Sequence, residues 1–209
     1  MRVRRPGEQN RTEMVREFFR HGSNAMLVGG AAALLGAHVF GGPKQKPIPV
    51  AIGALLFFGS EYSTHRFLLH AEPSQNEFVH GLQRRLHYDH HVDPAKLELL
   101  FLPPWALIPS MAFYGALYGL LTRDADTVAS LTFGNLLGLI YYEWVHYVAH
   151  IPYKPKTPYG RYIKKYHLWH HFKNEKLWFG VTNPSMDHLS GTYMDVTEAD
   201  RSASTRVLF

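Results

Sequence analysis

The sequence predicts an all-α, multi-pass membrane protein. About four transmembrane helices form two hairpins, and a cytosolic helical cap holds a histidine-rich site for two metal ions. Three observations lead there. Apolar stretches of near-spanning length recur four times. Within each pair of stretches the connection is only a few residues long. Ten of the fourteen histidines gather in four clusters, and each pair of clusters follows an even-numbered stretch.

Residues 1–23 read as a basic cytosolic arm. Arg2, Arg4, Arg5, Arg11, Arg16 and Arg20 outnumber Glu8, Glu13 and Glu17. The following apolar stretch is long and no small-residue cleavage site closes it, so a signal peptide is a poor fit. An arm or surface helix drawn to anionic lipid fits better. The net charge of +5 comes with no nucleic-acid recognition motif, so no nucleic-acid partner is expected.

Residues 24–197 form the main domain. Its apolar stretches are 24–40, 48–59, 103–121 and 127–144. Each is just long enough, or slightly short, against the spanning length of ~20 residues. The second lengthens if its helix runs on through Tyr62 and Phe67. Turns at 41–46 and 122–126 close the two hairpins, and Trp105, Tyr114, Tyr118, Tyr141, Tyr142 and Trp144 sit near the span ends as interfacial anchors. Of the 22 Lys and Arg residues the turns hold only Lys44, Lys46 and Arg123; the rest lie in the arm, around the histidines or in the tail, and so face the cytoplasm. Four spans also bring both pairs of histidine clusters out on the side of the N-terminus. Residues 198–209 are a short tail, expected to fray.

The first pair of clusters is His65 and His70, then His87, His90 and His91. The second is His146 and His150, then His167, His170 and His171. The step from His70 to His87 is 17 positions, as is the step from His150 to His167. On a helix, residues three and four apart share a face, which points each H-x-x-H-H triplet one way and stacks His146 on His150. His65 and His70 are five apart and diverge by about 140° on an ideal helix. That pair needs a local distortion, a helix end or two different metals. Ten imidazoles exceed the four to six donors of one divalent ion and suit two.

With no cysteine, thiolate zinc sites and cysteine-held iron–sulfur clusters are excluded, and calcium and magnesium prefer oxygen. Iron, zinc, copper and nickel accept imidazole. Glu61, Asp89 and Glu143 are the nearby carboxylates. Glu61 and Glu143 are spaced to accept an N–H from a ligand imidazole, or to act as ligands themselves. Asp187 and His188 are further candidates for orienting or supplementing the ligands. His21, His38 and His80 have no partner pattern. Phe67, Leu68, Tyr88, Trp144, Tyr147, Trp169 and Phe172 are candidates to line a pocket for a lipid entering from the bilayer.

The order H-x4-H, H-x2-H-H, H-x3-H, H-x2-H-H resembles the membrane-bound fatty acid hydroxylase and sterol desaturase superfamily. The chain looks most like its fatty acid 2-hydroxylases acting on sphingolipid acyl chains. The resemblance runs from Glu61 to Thr192 and includes Tyr166-His-Leu-Trp-His-His171 and Phe179-Gly-Val-Thr-Asn183. It implies a diiron centre (or zinc in its place), dioxygen as co-substrate, and the ten clustered histidines as ligands. It implies a lipid hydroxylase, a monooxygenase acting on a fatty-acyl chain at or near its 2-position. His188 after Asp187 departs from the apolar residue expected there. The fused cytochrome b5 domain of many relatives has no room here, so a separate ferredoxin or cytochrome b5-like donor is expected. A bacterial inner membrane fits such a chain better than the endoplasmic reticulum. Alternatives are a sterol, carotenoid or alkyl-lipid oxidase, a desaturase, and, from another class, a dizinc hydrolase or metal-handling membrane protein.

Overall fold

Helix starts follow local chemistry. Asn10 and Glu13 form a reciprocal capping box, each side chain accepting the other's backbone N–H at 2.8 Å, and open α1 (Arg11–Arg20). Next comes α2 (Gly22–Gly36), which tightens into a short 3₁₀ turn and stops at Gly41, where φ is +80°. Proline begins α3 (Pro47–Thr64), α7 (Pro104–Thr122) and α9 (Pro158–Phe172), where a missing N–H costs nothing. Asn76 caps α4 (Glu77–Gln83) by accepting the Val79 N–H at 3.1 Å, and Thr157 caps α9. Short helices α5 (Asp89–Val92) and α6 (Leu97–Leu100) follow α4, α8 (Ala125–His150) precedes α9, and α10 (Ser185–Ser190) ends at Gly191. The computed structural model describes residues 10–205 and residue 208, and all regular structure among them is helical. The arm's first nine residues, with Arg2, Arg4, Arg5 and Glu8, lie outside the described residues.

The chain divides into two compact units interleaved in sequence. The apolar unit comprises residues 19–60 and 101–143. Its core is Leu27, Ala31, Phe57, Leu107, Leu136 and Leu139. Here α3 and α8 touch backbone to backbone: a Cβ on Gly53 would lie 2.1 Å from the Leu131 carbonyl oxygen, and one on Gly134 would lie 2.0 Å from that of Val50. The two hairpin turns meet. Lys46 Nζ lies 2.5 Å from Asp124 Oδ2, the Lys44 N–H donates to Asp126, and the Lys46 N–H donates to Ser130 Oγ. Two of the four expected spans, Gly22–Phe40 and Leu97–Thr122, are long and apolar enough to cross a membrane. Only 22% of each apolar window is buried, so these are outward-facing helices rather than core helices.

The second unit comprises residues 10–18, 61–100 and 144 onward. Met14 and Phe18 of α1 are buried there, with Phe18 edge-on to Trp144. Lys164 donates to the carbonyls of Val148, Ile151 and Tyr153, closing the C-terminus of α8. Contrary to the expected fraying, residues 199–205 are held down: Ala199 packs with Tyr166 and Trp178, and Thr205 is buried, as is Leu208.

Candidate metal centre

The five-residue gap between His65 and His70 is resolved by a local change of winding. From His65 to Leu69 the helix widens to a π turn, closed by the His70 N–H donating to the His65 carbonyl at 3.0 Å. A second π turn spans Arg84–Tyr88. The wider turn sets the His65 and His70 rings side by side, centroids 4.9 Å apart.

All ten clustered histidines lie in the second unit and form two groups of five. One is His65, His70, His87, His91 and His170; the other is His90, His146, His150, His167 and His171. Within each group the ligand nitrogens lie within 4.8 Å of one another. In the first, His87 Nε2 is 2.8 Å from His70 Nε2 and 3.2 Å from His65 Nε2, and His170 Nε2 is 3.0 Å from His70 Nε2. In the second, His146 and His90 approach to 3.1 Å and His150 and His167 to 2.9 Å. Nitrogens bound to one ion at about 2.1 Å and right angles are ~3.0 Å apart, so this spacing is that of neighbouring ligands.

Neither H-x-x-H-H triplet points one way. His87 and His91 join the first group and His90 the second; His167 and His171 join the second group and His170 the first. The i and i+4 positions share an edge, whereas the i+3 residue is turned by about 100° from its i+4 neighbour. Each triplet therefore serves both groups.

Burial holds the imidazoles neutral. His65 is pushed down to about 4 and His90 to about 3, and His70, His87, His91, His167, His170 and His171 are held well below the usual histidine range by burial and by neighbouring imidazoles. Neutral imidazole is the ligating form. His91 Nε2 and both ring nitrogens of His171 are buried and make no hydrogen bond among the described residues. Converging lone pairs with orphaned buried nitrogens fit a bound divalent ion at each group.

Backbone carbonyls orient the first group. His65 Nδ1–H donates to Phe179 O at 2.5 Å, His170 Nδ1–H to Leu177 O at 2.7 Å and His91 Nδ1–H to Thr205 O at 3.3 Å, which leaves Nε2 for the ion. The 177–182 loop is itself fixed. Asp187 accepts the Phe179 and Gly180 N–H groups, each at 2.8 Å, and the Thr192 hydroxyl at 2.7 Å. Glu61 accepts the N–H groups of Val181 and Thr182 and the Thr182 hydroxyl. A Cβ on Gly180 would lie 2.1 Å from Asn183 O, so the loop requires glycine there.

The carboxylates thus sit elsewhere than the spacing suggests. Glu61 and Asp187 hold the loop that orients the imidazoles rather than the imidazoles themselves. Glu143 accepts the Leu102 N–H at 3.2 Å. Asp89 pairs with Arg84 at 3.0 Å and belongs to neither group. His188 is exposed and stacks on Tyr193, centroids 3.8 Å apart. His21, His38 and His80 join neither group. The carbonyls of Leu177, Phe179 and Thr205 carry no side-chain signature, and sequence reasoning misses them.

The family profile described as fatty acid hydroxylase matches residues 50–192. The chain is 32% identical over 154 residues to dihydroceramide fatty acyl 2-hydroxylase FAH2 of Arabidopsis thaliana, covering 74% of this chain and 64% of that protein. It is 33% identical over 146 residues to the ceramide very long chain fatty acid hydroxylase SCS7 of Saccharomyces cerevisiae, covering 68% of this chain and 37% of that one. It therefore spans less than two thirds of the length of these relatives. Among solved structures, full-length scs7p, in which only the hydroxylase domain is visible, superposes with a TM-score of 0.71 at 27% identity, over 85% of this chain and 66% of that chain. Histidine order, the two groups of five and these matches agree: the chain belongs to the fatty acid hydroxylase family.

Proposed function

We propose that this chain is a membrane-bound lipid hydroxylase that inserts one oxygen atom of dioxygen into a fatty-acyl chain, at the 2-position of a free or sphingolipid acyl group. The observation that carries the reading is the pair of five-imidazole groups in a member of this family. Relatives named for acyl 2-hydroxylation support the position. The reaction balances as R–H plus dioxygen, two electrons and two protons giving R–OH and water, with the electrons from a ferredoxin or cytochrome b5-like donor.

His65, His70, His87, His91 and His170 would hold one iron, and His90, His146, His150, His167 and His171 the other. Bound iron supplies the reductive activation of dioxygen that no side chain here can perform. The protein's part is positioning and exclusion of water. Phe179 lies against His65, His70 and His170, with ring centroids 5.2–5.7 Å away, and covers the first group with an apolar ring. Phe67 and Leu68, on the π turn between two ligands, are exposed and suit an apolar entrance for the acyl chain.

The membrane reading takes α2, α3, α7 and α8 as four spans in two hairpins, with the metal groups on the cytosolic side. The joined turns and the outward apolar faces of α2 and α7 support it. The hydrolytic alternative is disfavoured because Glu61 and Asp89, two of its three candidate bases, are engaged elsewhere.

The test is lipid mass spectrometry on cells expressing the chain and a competent electron donor under ¹⁸O-labelled dioxygen, beside His170→Ala. Label in a 2-hydroxyacyl lipid with the wild type alone is the expected result. An unlabelled product that has lost two hydrogens would replace hydroxylation with desaturation.

A further inference from the structure

The geometry points to Glu175 as a positioning residue for the first histidine group, acting through the segment 202–205. This rests on the metal-centre reading above. Glu175 lies just beyond α9, four residues after His171, and is 2% exposed. Its Oε1 accepts the hydroxyls of Ser202 at 2.9 Å and Ser204 at 2.7 Å. The same segment is tied by the Ser202 N–H to Lys173 O at 2.8 Å and by the Thr205 hydroxyl to Ser202 O at 2.8 Å. Thr205 is buried, and its carbonyl receives the His91 Nδ1–H.

Three imidazoles of the first group donate Nδ1–H to carbonyls. Two of those carbonyls belong to the 177–182 loop, which Asp187 and Glu61 fix. The third belongs to the segment that Glu175 fixes. Without Glu175 the two serine hydroxyls lose their carboxylate acceptor, and the Thr205 carbonyl keeps only the ties through Lys173 and within the segment. His91 then has a less firmly placed acceptor to hold its tautomer with Nε2 toward the ion. Glutamine at 175 keeps a carbonyl oxygen for both serines, whereas alanine keeps none.

The experiment compares wild type, Glu175→Ala, Glu175→Gln and the double variant Ser202→Ala/Ser204→Ala, each purified whole in detergent and loaded with ferrous iron. Ions per chain are counted by mass spectrometry, and release is followed under excess chelator. Outer partners of metal-ligating histidines are worth roughly 10–100-fold in affinity. Glu175→Ala and the serine double variant are expected to release one of two ions about tenfold faster or more, and Glu175→Gln to follow the wild type. Wild-type release from both Glu175→Ala and the serine pair overturns the role of Glu175 while leaving the metal centre standing. If Glu175→Ala is not recovered folded, the serine pair alone decides. A wild-type chain that takes up no iron overturns this inference and the metal-centre reading together.

Discussion

His170 Nε2 lies 3.0 Å from His70 Nε2, one hundred residues away in sequence. The second half of the histidine pattern thus delivers one imidazole to a group otherwise supplied by the first half, and His90 makes the reverse contribution beside His146.

This exchange predicts the metal stoichiometry of paired variants. His170→Ala with His91→Ala removes two ligands from one group and should leave about one ion per chain. His170→Ala with His171→Ala, adjacent in sequence, strikes both groups and should leave nearly none. Metal counting after dialysis separates these outcomes; equal losses from the two pairs would mean that the groups do not partition as described.

The loop clamp predicts a loss confined to one group. Asp187→Ala strands two buried backbone N–H groups, each costing about 1–3 kcal/mol, and leaves the Thr192 hydroxyl with Tyr62 as its remaining partner. The variant should bind one ion roughly 10–100-fold more weakly and the other normally. Asp187→Asn, which retains one acceptor oxygen, should fall between. Wild-type affinity at both groups in Asp187→Ala would show that the Phe179 carbonyl needs no clamp.

Close contact between α3 and α8 predicts opposite effects of one substitution at two glycines. Gly53→Ala forces a methyl onto the Leu131 carbonyl and should destabilise the protein by about 1–3 kcal/mol. At Gly115 in α7 a Cβ meets open space, and Gly115→Ala should stabilise by about 0.5–1 kcal/mol through helix propensity. Thermal unfolding in detergent measures both.

The joined turns predict a pH-dependent contribution. Hydrogen bonds from Lys46 and then Thr127 hold the Asp124 carboxyl down at about 2, below its unperturbed 3.8. A depressed carboxyl stabilises above its unfolded value and loses that contribution as pH falls through its folded value. Asp124→Asn should therefore lower the unfolding temperature above roughly pH 4 and converge on wild type near pH 2. An undiminished difference at pH 2 would place the loss in packing rather than charge.

Much of this is legible in the chain itself. Proline, asparagine and threonine mark the helix starts, and the imidazole spacing marks all ten members of the two groups. What escapes the sequence is what depends on rotation and on backbone. Three residues on one stretch of helix look like one face until the adjacent His90 and His91 are placed beside two centres rather than one. Glu61 sits at the right interval for His65, yet its carboxylate meets the N–H groups of Val181 and Thr182 more than a hundred positions away. The segment after Glu198 is polar enough to read as a loose end, and only the contacts of residues 202–205 with Glu175 and His91 show that this part is held.

The π turn at His65–Leu69 makes the two halves equivalent despite unequal length. His65 and His70 are five apart on a widened turn; His146 and His150 are four apart on an ordinary one. Five steps around the wider turn and four around the narrower one return to the same side of the helix. The first half therefore carries one more residue than the second without rotating either ligand away from its group. A single-residue length change, which would swing every later side chain in a rigid helix by about 100°, is absorbed within one turn. Removing one residue between Arg66 and Leu69 should let the segment rewind as plain α-helix with both imidazoles still aligned, whereas removing one between His146 and His150 has no widened turn to give back.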